Sequence, residues 1–123
     1  VTPDEGRALL DRLFGSIDAM DTEGMLSAIR PDATFRFGSA AEVAGHDAIR
    51  EAVDAFFDSI AGIRHSLRLV LVDEDVLVCE GDVQYTRHDG RSLTLPFANV
   101  FGITNGLIGS YRIYVDIGPL YAA

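Results

Sequence analysis

Residues 76–116 read VLVCEGDVQYTRHDGRSLTLPFANVFGITNGLIGSYRIYVD, and two dipeptides inside that stretch, Asp89-Gly90 and Asn105-Gly106, decide the fold. Each supplies the positive φ angles that a two-residue hairpin demands. The flanking residues alternate between apolar and polar, the period of half-buried strands. Taken as two-residue turns, the dipeptides set His88 opposite Arg91 and Thr104 opposite Leu107. Every other pair follows by counting outward, because a one-residue slip would turn a whole strand over. One row then holds Glu80, Asn99 and Arg112, and the next holds Asp82, Phe97 and Tyr114. An acid, an amide and a guanidinium abreast on one sheet face need solvent or partners.

Upstream, about 63–72 reads as a further strand, so the C-terminal half is a four-strand antiparallel meander over about 63–72, 76–88, 91–103 and 107–116. The N-terminal half changes period. Thr2-Pro3-Asp4-Glu5 is a helix start, with Thr as N-cap, Pro in the first turn and Glu closing a capping box. Ala8, Leu9, Leu13, Phe14, Ile17 and Met20 follow at helical spacing. A shorter helix is expected from about Asp21 or Thr22 to Ile29, stopped by Pro31. Thr34-Phe35-Arg36-Phe37 alternates as a short strand, and Gly38-Ser39-Ala40-Ala41 turns toward another extended piece ending at Gly45. A third helix spans roughly Asp47 to Ile60, with Gly62 after it. Helices first and strands last, without βαβ alternation, predict an α+β domain whose helices cover one face of a curved sheet.

The chain has 123 residues, 48% of them hydrophobic, which suits one domain over 1–123. A net charge of -9 argues against nucleic acid or an anionic membrane, which require clustered Lys and Arg. The single cysteine, Cys79, excludes an internal disulfide framework and points to a reducing compartment and a buried strand residue. No apolar run approaches the ~20 residues of a membrane span and no charged-then-apolar leader opens the chain, so a cytoplasmic location is expected. The three histidines are too dispersed for a metal site to be read from spacing.

The hairpin count puts Val78, Glu80, Asp82, Gln84, Leu95, Phe97, Asn99, Phe101, Ser110, Arg112 and Tyr114 on one face. The other receives Cys79, Gly81, Val83, Tyr85, Thr94, Pro96, Ala98, Val100, Tyr111, Ile113 and Val115. A short turn around Glu74-Asp75 would bring His65 level with Gln84, on the face of the acids. Two uses fit those polar residues. In an enzyme, Glu80 and Asp82 form a carboxylate pair with one pKa raised by burial, Arg112 holds an oxyanion and His65 shuttles a proton. In an assembly surface, Glu80 and Arg112 pair across Asn99, and Asp82 accepts from Tyr114.

The order of elements and three strings, Pro31-Asp32-Ala33-Thr34-Phe35-Arg36-Phe37, Gly45-His46-Asp47-Ala48-Ile49-Arg50 and Tyr111-Arg112-Ile113-Tyr114-Val115-Asp116, resemble the SnoaL-like branch of a cone-shaped superfamily. That superfamily contains nuclear transport factor 2, ketosteroid isomerase, limonene epoxide hydrolase and polyketide cyclases. The resemblance covers essentially the whole chain. It implies three helices on a curved meander sheet, a deep pocket between them, and a hydrophobic, polycyclic or terpenoid-like ligand. Phe35, Phe37, Phe57, Tyr85, Tyr111 and Ile113 are then the ligand-binding candidates.

The reactive groups of relatives do not carry over. The isomerase's early-strand aspartate falls at Phe37, its helix-one tyrosine at Leu13 and its third-strand acid near Ala98 or Asn99. The epoxide hydrolase's Arg-x-Asp pair falls near Gly81 and Val83 or, with a one-residue shift, Glu80 and Asp82. Its last-strand aspartate, like the similarly placed acid of the cyclases, lands on Ile113. Since these positions lie on the face away from the polar row, the row reads first as a dimer face and second as machinery. The expected function is binding a small hydrophobic or polyketide-like molecule, with conversion by acid-base chemistry (cyclisation, isomerisation, dehydration or epoxide opening) that uses neither metal nor organic cofactor. The alternative is a non-catalytic ligand-binding or association module.

Overall fold

A computed structural model describes residues 1–122 and orders them as α1 (Pro3–Asp18), α2 (Thr22–Leu26), β1 (Ile29–Phe37), β2 (Val43–Ala44), α3 (His46–Asp58), β3 (Gly62–Asp73), β4 (Val76–Thr86), β5 (Ser92–Thr104), β6 (Leu107–Val115) and α4 (Gly118–Tyr121). The strands form one six-stranded sheet in the order β2-β1-β6-β5-β4-β3. The predicted meander is present, and β1 extends it by pairing parallel to β6.

α1 begins with both halves of its capping box: Thr2 Oγ1 accepts from Glu5 N at 3.1 Å, and Glu5 Oε1 accepts from Thr2 N at 2.9 Å. Its Leu10 and Leu13 are fully buried, each contributing roughly 2–3 kcal/mol of apolar burial. Gly6 lets the helix lie close to the sheet, since a Cβ there would meet Val72 and Leu77 at 3.0 and 3.1 Å. α3 buries Ile49, Val53 and Phe57. Arg50 ties α3 to α2 through two bonds to Glu23, at 2.8 and 3.0 Å.

Some boundaries differ from the sequence reading. α2 ends at Leu26 instead of Ile29, and Pro31 lies inside β1 instead of stopping a helix. A proline is tolerated there because the β1–β6 register is irregular between Ile29 and Thr34, where no ladder N–H is required. α3 stops at Asp58, and Gly62 opens β3. Among the described residues, no helix is long and apolar enough to cross a membrane.

The register is where the structure departs most from counting. At Asn105-Gly106 both residues have positive φ, 52° and 77°, and Thr104 faces Leu107 as predicted. At Asp89-Gly90 only the glycine does, at 87°, so the mirror-image turn cannot form. The carboxylate of Asp89 instead accepts from Arg91 N at 3.0 Å, and Arg87 N bonds Arg91 O across a three-residue loop. That loop slips β5 by one residue against β4, so Cys79 faces Asn99 and Glu80 faces Ala98. A β-bulge at Gly109 slips β6 by one again, setting Asn99 against Ile113 and Val100 against Arg112. The two slips cancel between β4 and β6, so of these three strands β5 alone is inverted relative to the sequence reading. The Glu80, Asn99, Arg112 row therefore does not exist.

Candidate functional site

The inner sheet face and the helices line a cavity of about 210 Å³. Ile17 of α1, Met25 of α2 and Val53, Phe56 and Phe57 of α3 form its helical wall, and every strand except β2 adds to the rest. Phe35, Phe37, Phe57, Tyr85, Tyr111 and Ile113 all lie on this wall. Their rings interlock: Phe35 stands edge-on to Tyr111 at 5.2 Å, and Tyr85 edge-on to Phe56 at 5.8 Å.

His65 is also on the wall, for a reason that counting from the Glu74-Asp75 turn does not foresee. The turn is as expected, with Asp73 facing Val76, but β3 carries a bulge between Leu67 and Leu69. Arg68 is the extra residue. Below it the faces invert, so His65 pairs with Val83 and points inward while Arg64 takes the place beside Gln84. Gly81 makes room, because a Cβ there would sit 1.9 Å from Ser66 O.

Once inside, His65 is held on several sides. Its Nδ1 lies 2.6 Å from Asp18 Oδ1, and its backbone N–H donates to Asp18 Oδ2 at 3.0 Å. Phe14 packs on the ring at 4.4 Å and Phe97 meets it edge-on at 5.2 Å. A carboxylate only accepts, so Nδ1 carries the proton in the neutral ring and Nε2 is left with its lone pair. Nε2 has no partner among the described residues.

Asp18 is the residue that sequence reasoning missed. It is the last residue of α1, where the helix dipole disfavours a carboxylate, and no basic residue accompanies it in the last turn. An acid at the wrong end of a helix was the available signal.

The other polar groups of the wall are neutral. Burial pushes the Tyr111 and Tyr85 phenols well above the usual value, so both are donors at neutral pH. Tyr111 lies within electrostatic reach of Asp18, Tyr85 and Cys79. Asn99 is 1% exposed. The Cys79 thiol beside it is pushed up to about 12, chiefly by burial, and is no nucleophile at neutral pH. Among the described residues, no three His, Cys, Asp or Glu side chains are grouped to hold a metal ion.

Glu80, Asp82 and Arg112 are on the outer face, away from the cavity. The bulge that turns His65 inward projects Arg68 outward, where it contacts Asp82, Glu80 Oε1 at 3.3 Å and Gly81 O at 3.2 Å. Arg68 thus takes the partner role that the sequence reading gave to Arg112. Arg112 is exposed opposite Val100, and Tyr114 stands opposite Ala98 instead of bonding Asp82. All three members of the Arg68 cluster are about half exposed, so it adds little stability.

No curated protein sequence matches the chain. An NTF2-like protein of unknown function from Burkholderia pseudomallei is 20% identical, with a TM-score of 0.85 and 94% of each chain covered. A Xanthomonas campestris protein provisionally assigned as a polyketide cyclase is 18% identical, with a TM-score of 0.82, covering 96% of this chain and 95% of its own. An epoxide hydrolase of the limonene epoxide hydrolase type from Mycobacterium tuberculosis is 13% identical, with a TM-score of 0.79, covering 94% of this chain and 86% of its own. At such identities the likeness is one of fold. The sequence itself decides the family: residues 10–111 match the SnoaL-like domain, and the chain belongs to that family.

Proposed function

We propose that the chain is an acid-base enzyme acting on a small hydrophobic molecule held in the cavity. The observation that carries this reading is the His65–Asp18 pair, a proton acceptor fixed by a carboxylate at 2.6 Å and set into an apolar wall. Asp18 fixes the tautomer and would stabilise the imidazolium formed when Nε2 accepts a proton. Tyr85 and Tyr111 supply neutral donors toward negative charge developing on a substrate oxygen. Isomerisation, cyclisation, dehydration and epoxide opening all need that pairing of a base with donors. A catalytic role for Glu80, Asp82 and Arg112 finds no support, since their face is turned from the cavity.

The test is carbon-acid exchange. Small cyclic enones and ketones are incubated with the protein in D2O, and loss of α-proton signal is followed by NMR. Catalysed exchange is expected, slowed by roughly 10²-fold or more in His65→Gln, the usual worth of a positioned base. Binding without exchange or epoxide opening across the panel would favour the non-catalytic ligand-binding module.

The outer face supports a second copy of this chain as partner. Leu69, Leu71, Val76 and Tyr114 are 43%, 55%, 44% and 55% exposed there, more apolar surface than a sheet presents to water without a partner. The charged Arg68 cluster and Arg112 interrupt it, giving an apolar surface with polar groups to set orientation.

A further inference from the structure

Asn99 is the only buried polar or charged residue of the described chain, and its Oδ1 has no hydrogen-bond partner. It lies on β5, in the middle of the sheet, between Cys79 and Ile113 and one inward position beyond Phe97. Neither neighbour is a hydrogen-bond donor of any strength. The Asn99 amide N–H is directed at the Cys79 sulfur, which leaves the oxygen alone without a partner. A buried amide oxygen left unpaired in the centre of a sheet works against folding, and an apolar side chain would pack there without that cost. The wall it belongs to faces the cavity, so the missing partner is best supplied from the cavity. The terminal torsion of an asparagine is broad, which lets the amide turn to meet it.

Two other properties of the cavity narrow what that partner is. No Arg or Lys lines it, and its one carboxylate neighbour, Asp18, is committed to His65. An anionic ligand would find no fixed counter-charge in that wall, since the one group there able to become cationic, His65, is already matched by Asp18. The volume, about 210 Å³, exceeds the roughly 150 Å³ apolar cavity that holds benzene but falls short of the ~300 Å³ at which drug-sized pockets begin. One substituted ring or two fused rings fit.

We propose that Asn99 is the specificity-determining residue of the cavity, its Oδ1 accepting a hydrogen bond from the hydroxyl or N–H of a neutral one- or two-ring ligand. This rests on the reading of the cavity as a ligand site, and its test is binding instead of turnover. The probes are 2-naphthol, 2-methylnaphthalene, which replaces the hydroxyl with a methyl group of similar size, and 2-naphthoate. The chain contains no Trp, so naphthalene fluorescence reports binding directly at neutral pH.

In the wild type, 2-naphthol is expected to bind about ten- to a hundred-fold more tightly than 2-methylnaphthalene, against the order of their hydrophobicity, because the methyl group leaves the acceptor unpaired. 2-Naphthoate should bind most weakly. Asn99→Leu should abolish the preference, and His65→Phe should keep it. Should Asn99→Leu fail to fold, the wild type and His65→Phe still decide the matter. A wild type without the preference, as when a water satisfies Asn99, overturns the proposal. So does a preference that survives Asn99→Leu. A preference lost in His65→Phe moves the acceptor to Nε2 and overturns the proposal while leaving the acid-base reading intact. If no probe binds, both fall.

Discussion

Gly81→Ala tests the geometry that turns His65 into the cavity. Gly81 is buried on the inner face of β4, opposite Leu67 at the edge of the β3 bulge. A Cβ added there would meet Ser66 O at 1.9 Å, Ser66 C at 2.9 Å and Leu67 Cα at 3.0 Å. These are backbone atoms and cannot swing aside, so β3 itself must retreat. The cost belongs at the upper end of the overpacking range, about 3 kcal/mol. For a chain of this length each kcal/mol corresponds to about 4 °C, so the expected fall in Tm is about 12 °C. Gly15→Ala is the control: its Cβ meets nothing within 4 Å on the exposed side of α1, and removing a mid-helix glycine should gain up to about 1 kcal/mol. Far-UV circular dichroism melts of the three proteins at neutral pH make the comparison, with urea midpoints as a second measure. If Gly81→Ala melted within about 2 °C of the wild type, β3 would not be seated against β4 as described, and the inward placement of His65 would lose its basis.

Stability should fall on the alkaline side. Cys79, Tyr85 and Tyr111 all have folded pKa values raised by burial, so their contribution is complete below the unfolded values and is lost as pH rises. Each group removes about 1.4 kcal/mol per pH unit between its unfolded and folded values, beginning near pH 9 for Cys79 and near pH 10 for the tyrosines. Tm measured from about pH 8 to 11 should decline, and Tyr111→Phe should flatten the limb above about pH 10; a level profile would show that the phenols reach water. Thr2→Ala removes the Oγ1 that accepts from Glu5 N and should lower stability by about 1 kcal/mol in a urea titration; an unchanged midpoint would mean the first turn frays. Leu71→Asp puts a charge on the exposed apolar face, at its β3 edge, and should raise the dissociation constant of the proposed dimer about a hundred-fold or more, read by light scattering over a dilution series. A wild type that is monomeric throughout would rule out pairing through that face.

Much of this architecture is legible in local signals, because those signals are short-range. The Thr2–Glu5 capping box, the helical spacing of Leu9, Leu13, Phe14 and Ile17, and the alternation along 76–116 each depend on a few neighbouring residues. The inversion of β5 was not legible, since Asp-Gly and Asn-Gly look alike as turn signals and differ only in whether the first residue enters the left-handed region. Asn105 does, at φ 52°, and Asp89 does not, its carboxylate being drawn to Arg91. The sequence singles out His65 but predicts the opposite face for it. The bulge that reorients it lies within Leu67-Arg68-Leu69, without a glycine or proline to mark it. The parallel pairing of β1 with β6 joins segments nearly eighty residues apart, as Phe35 with Tyr111 and Ile29 with Ile108, beyond any periodicity argument.

Asp18 connects the local and the long-range accounts. At its other end α1 obeys the dipole rule, with Asp4 and Glu5 in the first turn. A carboxylate at the last position opposes that rule at a cost of roughly 0.3–1 kcal/mol, and Ala19 caps the helix without using it. What compensates Asp18 is His65, forty-seven positions away, through both its ring and its backbone N–H. That meeting requires the Arg68 bulge to turn the histidine inward and the bare Cα of Gly81 to admit the bulge. Three breaks in local regularity, one in a helix and two in adjacent strands, converge on a single imidazole. Sequences depart from their own local preferences chiefly where a site requires it. The pattern therefore argues for His65 over the more conspicuous acids of β4, whose charges are already matched by Arg68 on the opposite face.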